Sequence, residues 1–274
     1  MNEALELKER VRAHWDSHSC GESYAATGLQ LDLIKQAQER YFFEPYIHDF
    51  AKFDEAENKD VLEIGVGMGA DHALWARGRP RCLCGIDLTT RALQFTGARL
   101  ASEGLSSHLC QADAEALPFS NETFDLIYSW GVLHHSPDTP AAIMELSRVL
   151  RSGGVARIML YNRCSLVGFM LWSRYALMAG RVKRGLSEVY YHHLESPGTK
   201  AYKVAEVRHL FSRAGFFKLS IRVQLSHGDL LQGNVGRRHQ GWLLSVAKCV
   251  WPRRLLRRFG QRLGLYLLIE AHKE

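Results

Sequence analysis

The segment that most narrows the folds open to this chain is Val61-Leu-Glu-Ile-Gly-Val-Gly-Met-Gly69, a short apolar run that ends in three alternate glycines and passes into a helical stretch over 70–76. Glycine suits such a turn for two reasons. The chain bends through conformations that a Cβ forbids, and its N–H groups come close enough to touch a ligand at the start of the helix. A strand, a tight glycine turn and a helix form the first half of a βαβ unit. The spacing Gly65, Gly67, Gly69 departs from the G-x-G-x-x-G dinucleotide fingerprint, and an acid, Glu63, lies inside the strand, so the pattern argues against a nicotinamide dinucleotide.

Beyond this unit, β-rich runs keep alternating with helical stretches. Residues 61–64, 82–86, 107–110, 124–128 and 155–160 read as five strands, and 217–223 and 264–271 as two more. The expected fold class is α/β: a Rossmann-like, mostly parallel seven-stranded sheet with helices on both faces. Residues 1–50 read as an N-terminal helical cap, in which Leu5, Val11 and Trp15 recur at helical spacing. Residues 51–160 form the core, and 161–203 an insertion after strand five that mixes apolar, aromatic and basic residues without a strand signal. Residues 204–274 complete the core, with a helix over 204–211 and a basic helical segment before the last strand. The chain has 274 residues, 46% of them hydrophobic, enough for one sizeable core and this decoration.

The second strand ends Gly85-Ile-Asp87, which sets a carboxylate at the C-terminal sheet edge, where open α/β sheets bind ligands. Asp87 is placed to accept both hydroxyls of a ribose, or else it caps the helix that follows Leu88-Thr89-Thr90. After the third strand, Gln111-Ala-Asp-Ala-Glu-Ala-Leu-Pro-Phe119 puts Asp113 at a strand end, while Glu115 reads as an ordinary polar loop residue. A fourth element runs Phe124-Asp-Leu-Ile-Tyr-Ser-Trp-Gly-Val-Leu-His-His135, and a fifth, Glu145-Leu-Ser-Arg-Val-Leu-Arg-Ser-Gly-Gly154, supplies a helix and a Gly-Gly turn before a strand.

In this order the five motifs, which cover roughly residues 60 to 160, resemble those of the class I S-adenosylmethionine-dependent methyltransferases. The fourth is similar to that of the small-molecule branch related to quinone and sterol methyltransferases. The resemblance implies S-adenosylmethionine as cofactor, with Glu63, Gly65, Gly67 and Gly69 forming its first motif, Asp87 and Leu88 at the ribose, Asp113 and Ala114 at the adenine, and Trp130 and Gly131 beside it. It also implies that His135 faces the methyl group. There a histidine, with an unperturbed pKa of about 6.5, can serve as general base; the alternative is a helix start packed under the sheet edge. Tyr161, at the end of strand five, is the second candidate catalytic residue. Tyr24 and Arg40 in the cap either hold the methionine carboxylate or simply pack there. Since a sulfonium methyl is already electrophilic, positioning carries most of the catalysis. The function implied is methyl transfer to an O, N or C nucleophile of a small, partly apolar metabolite. The rivals are a non-methyl-transfer reaction on the same sulfonium that releases methylthioadenosine, and a non-catalytic protein that binds through the basic C-terminal helix.

Composition bears on partners and setting. The pairs Cys82/Cys84, His134/His135 and His192/His193 lack zinc-site spacing, so no metal is expected. The scattered cysteines and an N-terminus without an apolar h-region point to reduced thiols in a cytoplasm. The formal charge of +6 is local, because eight basic residues and no acid lie between Arg237 and Arg262. No nucleic-acid module is recognisable, and a small-molecule acceptor is the expected partner. Within 251–263, Leu256, Phe259 and Leu263 fall on one helical side flanked by arginines, which suits peripheral contact with anionic lipid or a solvated linking helix. The insertion reads as a lid over the acceptor or as a core helix.

Overall fold

A computed structural model describes residues 3–17, 19, 22, 26–27, 30–232, 248–249 and 251–274. Its centre is a seven-stranded sheet built from β1 (Asp60–Ile64), β2 (Cys82–Asp87), β3 (His108–Gln111), β4 (Phe124–Trp130), β5 (Leu150–Tyr161), β6 (Phe216–Gln224) and β7 (Tyr266–Lys273). The strands lie in the order β3-β2-β1-β4-β5-β7-β6. The first five run parallel, and β7 pairs antiparallel with both β5 and β6. The expected mostly parallel, Rossmann-like α/β sheet is what the chain forms. Order reverses between β1 and β4, and the carboxyl ends of strands at such a switch point frame a crevice.

Alternate residues of the central strands feed two cores. Leu62, Ile64 and Ile127 pack with Ile143 and Leu146 of α6 (Thr139–Val149) and with Val207 and Phe211 of α9 (Val204–Arg213). Val61, Leu126 and Tyr128 face the opposite way, toward Ile47 and Phe50 of α3 (Tyr46–Ala51) and Trp75 of α4 (Ala70–Arg77). Covering on both faces explains why β1 and β4 read as near-continuous apolar runs. The expected strand over 155–160 starts earlier, at Leu150. Leu150 pairs with Phe124, the ladder then shifts register, and it resumes at Leu126 with Val155, so the Gly-Gly turn is an irregularity inside the strand rather than its boundary.

The N-terminal cap comprises α1 (Glu3–Ser17) and α2 (Leu33–Phe43), the latter capped by Asp32, whose side chain accepts from the Lys35 amide. After α5 (Thr90–Ser102) and α6, the chain leaves β5 into the insertion, which holds α7 (Leu166–Trp172), a π turn (Ser173–Leu177) and α8 (Leu186–His193). The insertion closes on itself. Asn162 bridges Tyr202, and the Arg163 amide donates to the Tyr202 carbonyl at 2.9 Å. Near the C-terminus, α10 spans Arg253–Phe259 and a separate 3-10 turn spans Gln261–Leu263. The single apolar side expected over 251–263 therefore breaks at Gly260, and the remainder of the basic segment falls mostly outside the described residues. No described helix is long and apolar enough to cross a membrane.

Candidate active site

The crevice at the switch point is a cavity of about 350 Å³. Its floor is the glycine turn, and each glycine there has a distinct task. Gly65, at φ +82°, has no room for a side chain, since a Cβ would lie 2.1 Å from Cγ2 of Val132. Gly69, at φ +74°, abuts Thr96 of α5 and starts α4 without a side-chain cap. Gly67, at φ +53°, is open, for a Cβ there would meet nothing within 4 Å. Gly65 and Gly67 line the cavity, whereas Gly69 works behind it as the joint between two helices.

Asp87 stands at the end of β2. Its Oδ1 accepts from the amide and the hydroxyl of Thr89, both at 2.9 Å, and its Oδ2 accepts from the Gly67 amide at 3.2 Å. The cap of α5 is Thr89, so Asp87 is not a helix cap; it braces the glycine turn and lines the cavity beside Leu88. Burial pushes its carboxyl above the ordinary aspartate range, against the hydrogen bonds that favour the charged form.

Glu63 is buried in the same floor, where its carboxyl meets Nδ1 of His72 at 2.9 Å. Burial, and then the neighbouring Asp71, raise its pKa well above the usual range, while burial drives His72 down to about 3. Arg40 lines the cavity, yet its guanidinium is occupied by protein carboxylates. Its Nε and Nη2 donate to Asp71 at 3.0 and 2.6 Å, and its Nη1 to Glu44 at 3.4 Å. Burial alone would raise the Asp71 pKa, but Arg40 and hydrogen bonds from Tyr128 and Tyr41 hold it low. Tyr24 lies outside the described residues.

After β3, where adenine contact is expected, Ala112 and Ala114 line the cavity, and Asp113 does not. The Asp113 carboxylate is held by Lys8 of α1 at 2.5 Å, and Lys8 itself reaches the cavity wall. Glu115, read from sequence as a plain loop residue, is a junction that accepts from Lys8, from the Ser136 hydroxyl and from the Asp138 amide. The two ends of this segment thereby fasten the cap to the core.

The opposite wall holds Trp130, Gly131, His135 and Tyr161. His135 is buried, with Nδ1 2.8 Å from the Ser196 hydroxyl and 3.1 Å from that of Thr199, and its ring meets the edge of Trp15 from the cap. Its Nε2 lies 3.4 Å from Glu195, to which the Tyr161 hydroxyl donates at 2.8 Å. Burial would raise the Glu195 pKa, but the neighbouring His135 and the hydrogen bond from Tyr161 hold it below the ordinary range, so the carboxylate stays charged. His134, His135 and Glu195 offer ligand atoms within 4.8 Å of one another, the one metal-sized group among the described residues.

Sequence reasoning did not single out Lys8, Glu44, Asp71, Glu195 or Tyr266, all of which line the cavity. Asp71 was the most accessible of them, as an acid in the first turn after the glycines. Glu195 carried no signal beyond lying in the insertion, because its role depends on the chain returning to the cavity from α8.

The cavity suits an adenosyl sulfonium ligand. Its lining sets Glu44, Asp71, Asp87 and Glu195 against Lys8 and Arg40, an acidic excess matched to a ligand carrying positive charge. The open face of Gly67 leaves room for close approach, and the Asp87 carboxylate stands beside it at the cavity wall.

Comparison with known proteins agrees. Residues 61–154 match the family described as a methyltransferase domain. The chain is 31% identical over 126 residues to methyltransferase GfsG of Streptomyces halstedii, covering 45% of this chain and 44% of that protein. It is 35% identical over 116 residues to the fatty-acid O-methyltransferase of Mycolicibacterium smegmatis, covering 42% and 41%. The chain thus spans less than half the length of these curated relatives. In fold it resembles an S-adenosylmethionine-dependent methyltransferase from Thermotoga maritima, with a TM-score of 0.55 and 14% identity over 96% of this chain and 100% of that one.

Proposed function

We propose that this chain, a class I S-adenosylmethionine-dependent methyltransferase, transfers the cofactor's methyl group to an oxygen, nitrogen or carbon nucleophile of a small, partly apolar metabolite. One observation carries the reading. The glycine turn, Asp87 and the His135–Tyr161 wall, which come from separate motifs, line a single cavity.

When bound, S-adenosylmethionine supplies a methyl group already activated as an electrophile. The chain's own tasks are to hold, to exclude water and to receive a proton. Gly65, Gly67, Asp87 and Leu88 hold the ribose side, Ala112 and Ala114 flank the adenine, and Glu63 with the Asp71–Arg40 pair forms the polar floor under the methionine portion. Lys8 and Trp15 close the cap side, and Met159, Trp130 and Tyr266 make the acceptor side partly apolar. An acceptor hydroxyl or ammonium would lose its proton to the pair formed by His135 and the charged Glu195, with Ser196 and Thr199 fixing the imidazole. An acceptor that carries no such proton needs only the positioning.

Calorimetry with S-adenosylhomocysteine tests the binding half: micromolar or tighter affinity is expected, weakened about tenfold or more by Asp87→Ala. Incubation of cell metabolites with labelled methyl donor tests the chemistry. S-adenosylhomocysteine should accumulate along with a labelled acceptor, at a rate cut about a hundredfold by His135→Ala. Accumulation of methylthioadenosine in its place would sink the methyl-transfer reading.

A further inference from the structure

We propose that the outer end of the insertion is a docking surface for an anionic lipid bilayer. The use of that surface to admit a bilayer-borne acceptor rests on the methyl-transfer reading; the docking does not.

The insertion is rooted in the cavity at both ends. It departs from Tyr161 and, after α8, passes Glu195, two side chains that share a hydrogen bond over the acceptor wall. Its two helical segments pack on each other through Leu171, Ala176 and Val189. That packing leaves the far end uncovered. Residues 177–183 are exposed without interruption, and Phe169, Leu177, Met178 and Val182 present 44%, 52%, 68% and 57% of their surface to solvent. Large apolar side chains exposed together in one segment mark an interaction surface more often than a plain solvated turn.

Charge identifies the occupant. From Cys164 to Ser187 the chain contains Arg174, Arg181, Lys183 and Arg184 and no acid. Arg184 pairs with Glu188 at 3.0 Å, while Arg181 and Lys183 form no ion pair among the described residues. Apolar side chains at the crest with cations beside them match a bilayer whose apolar interior lies beneath anionic headgroups. A nucleic acid would use the cations and could stack on Phe169 but would leave the more exposed Leu177, Met178 and Val182 without partners, because single-stranded recognition stacks bases on aromatic rings.

The arginine-rich α10 springs from the same root. Asp229, buried, accepts from the amides of Val167 at the start of α7 and of Leu265 before β7, and its carbonyl accepts from the Trp251 indole. Arg253 donates to the next carbonyl, that of Leu230. One buried hub thus anchors both basic segments, and α10 adds exposed Arg254, Leu255 and Arg257.

The test is co-sedimentation of the full chain with phosphatidylcholine vesicles, with or without about one-third phosphatidylglycerol. Binding to the anionic vesicles is expected to exceed binding to the neutral ones about tenfold at low salt and to fade near 0.5 M salt. Joint replacement Leu177→Glu and Met178→Glu should lower it about tenfold, while affinity for S-adenosylhomocysteine stays unchanged and so reports an intact fold. No preference for anionic vesicles overturns the proposal. So does binding that survives the double replacement, whether it is then abolished by Arg254→Glu with Arg257→Glu or competed away by a soluble polyanion. Since vesicles are bound without any methyl acceptor, failure of the methyl-transfer reading would leave this result standing, and the reverse also holds.

Discussion

Glu63 shows how far a single residue's chemistry follows from its neighbours. The Ser107 hydroxyl donates to the Leu83 carbonyl at 2.9 Å, so its oxygen is free to accept from Nε2–H of His72 at 2.7 Å. His72 is neutral at its depressed pKa of about 3, which leaves Nδ1 an acceptor. Glu63 must then carry the proton it donates to Nδ1, in accord with a pKa raised by burial and by Asp71. Glu63→Gln retains a donor at that place and is expected to change the unliganded protein's stability by less than about 1 kcal/mol. Glu63→Ala leaves Nδ1 buried without a partner beside a small void and should cost about 2–4 kcal/mol. Unfolding of the parent and the glutamine variant over a pH series decides the matter: a protonated Glu63 makes the parent lose stability relative to the glutamine variant as pH rises above the ordinary glutamate range, and the absence of that relative loss would show an ionised carboxylate. The position of Glu63 was legible in the sequence; its protonation was not, since His72 and Ser107 meet it only through folding. Asp113 makes the same point in reverse. A strand-end acid was readable, but its diversion to Lys8 depends on a helix 105 residues away.

At the scale of elements, the glycine turn separates what the fold needs from what the ligand needs. Gly65→Ala would force a methyl group into Val132 at a backbone angle that side chains avoid, and a loss of about 2–4 kcal/mol in unfolding free energy is expected. Gly67→Ala meets open space, so its cost to stability should stay near the 1 kcal/mol typical of the left-handed region. Its methyl group stands on the cavity side, and affinity for S-adenosylhomocysteine should fall about tenfold. Equal losses of stability in the two variants would refute this division. The strands that carry the motifs were readable because period and turn chemistry are local. The place of β7 between β5 and β6 was not, since sequence order says nothing about which strand inserts between two others. The break of the basic segment at Gly260 is not legible in the sequence for a related reason. A helical face can be drawn through any run of residues, whereas here the chain stops the helix at Phe259 and resumes as a 3-10 turn.

The whole molecule is a core closed by a cap, and ion pairs join the two. Lys8 holds Asp113 and Glu115, Arg40 holds Asp71, and Arg91 holds Glu22. Burial tends to raise the pKa of Glu115, but bonds from Lys8, Ser136 and Asp138 carry it below the ordinary range, and Asp71 is likewise low. A depressed carboxylate contributes attachment that is fully present above its unfolded pKa and is lost only as pH falls through the folded one. Asp87 is shifted the other way by burial, so on acidification it takes up a proton first, above the usual aspartate range. Its protonated form no longer accepts from both the turn and a ribose. Acidification should therefore act in two steps. Affinity for S-adenosylhomocysteine declines first, in a range where the cap is still attached. Only at lower pH does α1 release, exposing Trp15 and becoming open to proteolysis, and Lys8→Ala should bring that second step to higher pH without moving the first. Calorimetric affinity and Trp15 emission followed over one pH series would separate the steps. If they coincide, and Lys8→Ala shifts both together, closure by the cap rather than the charge of Asp87 governs acid loss of binding.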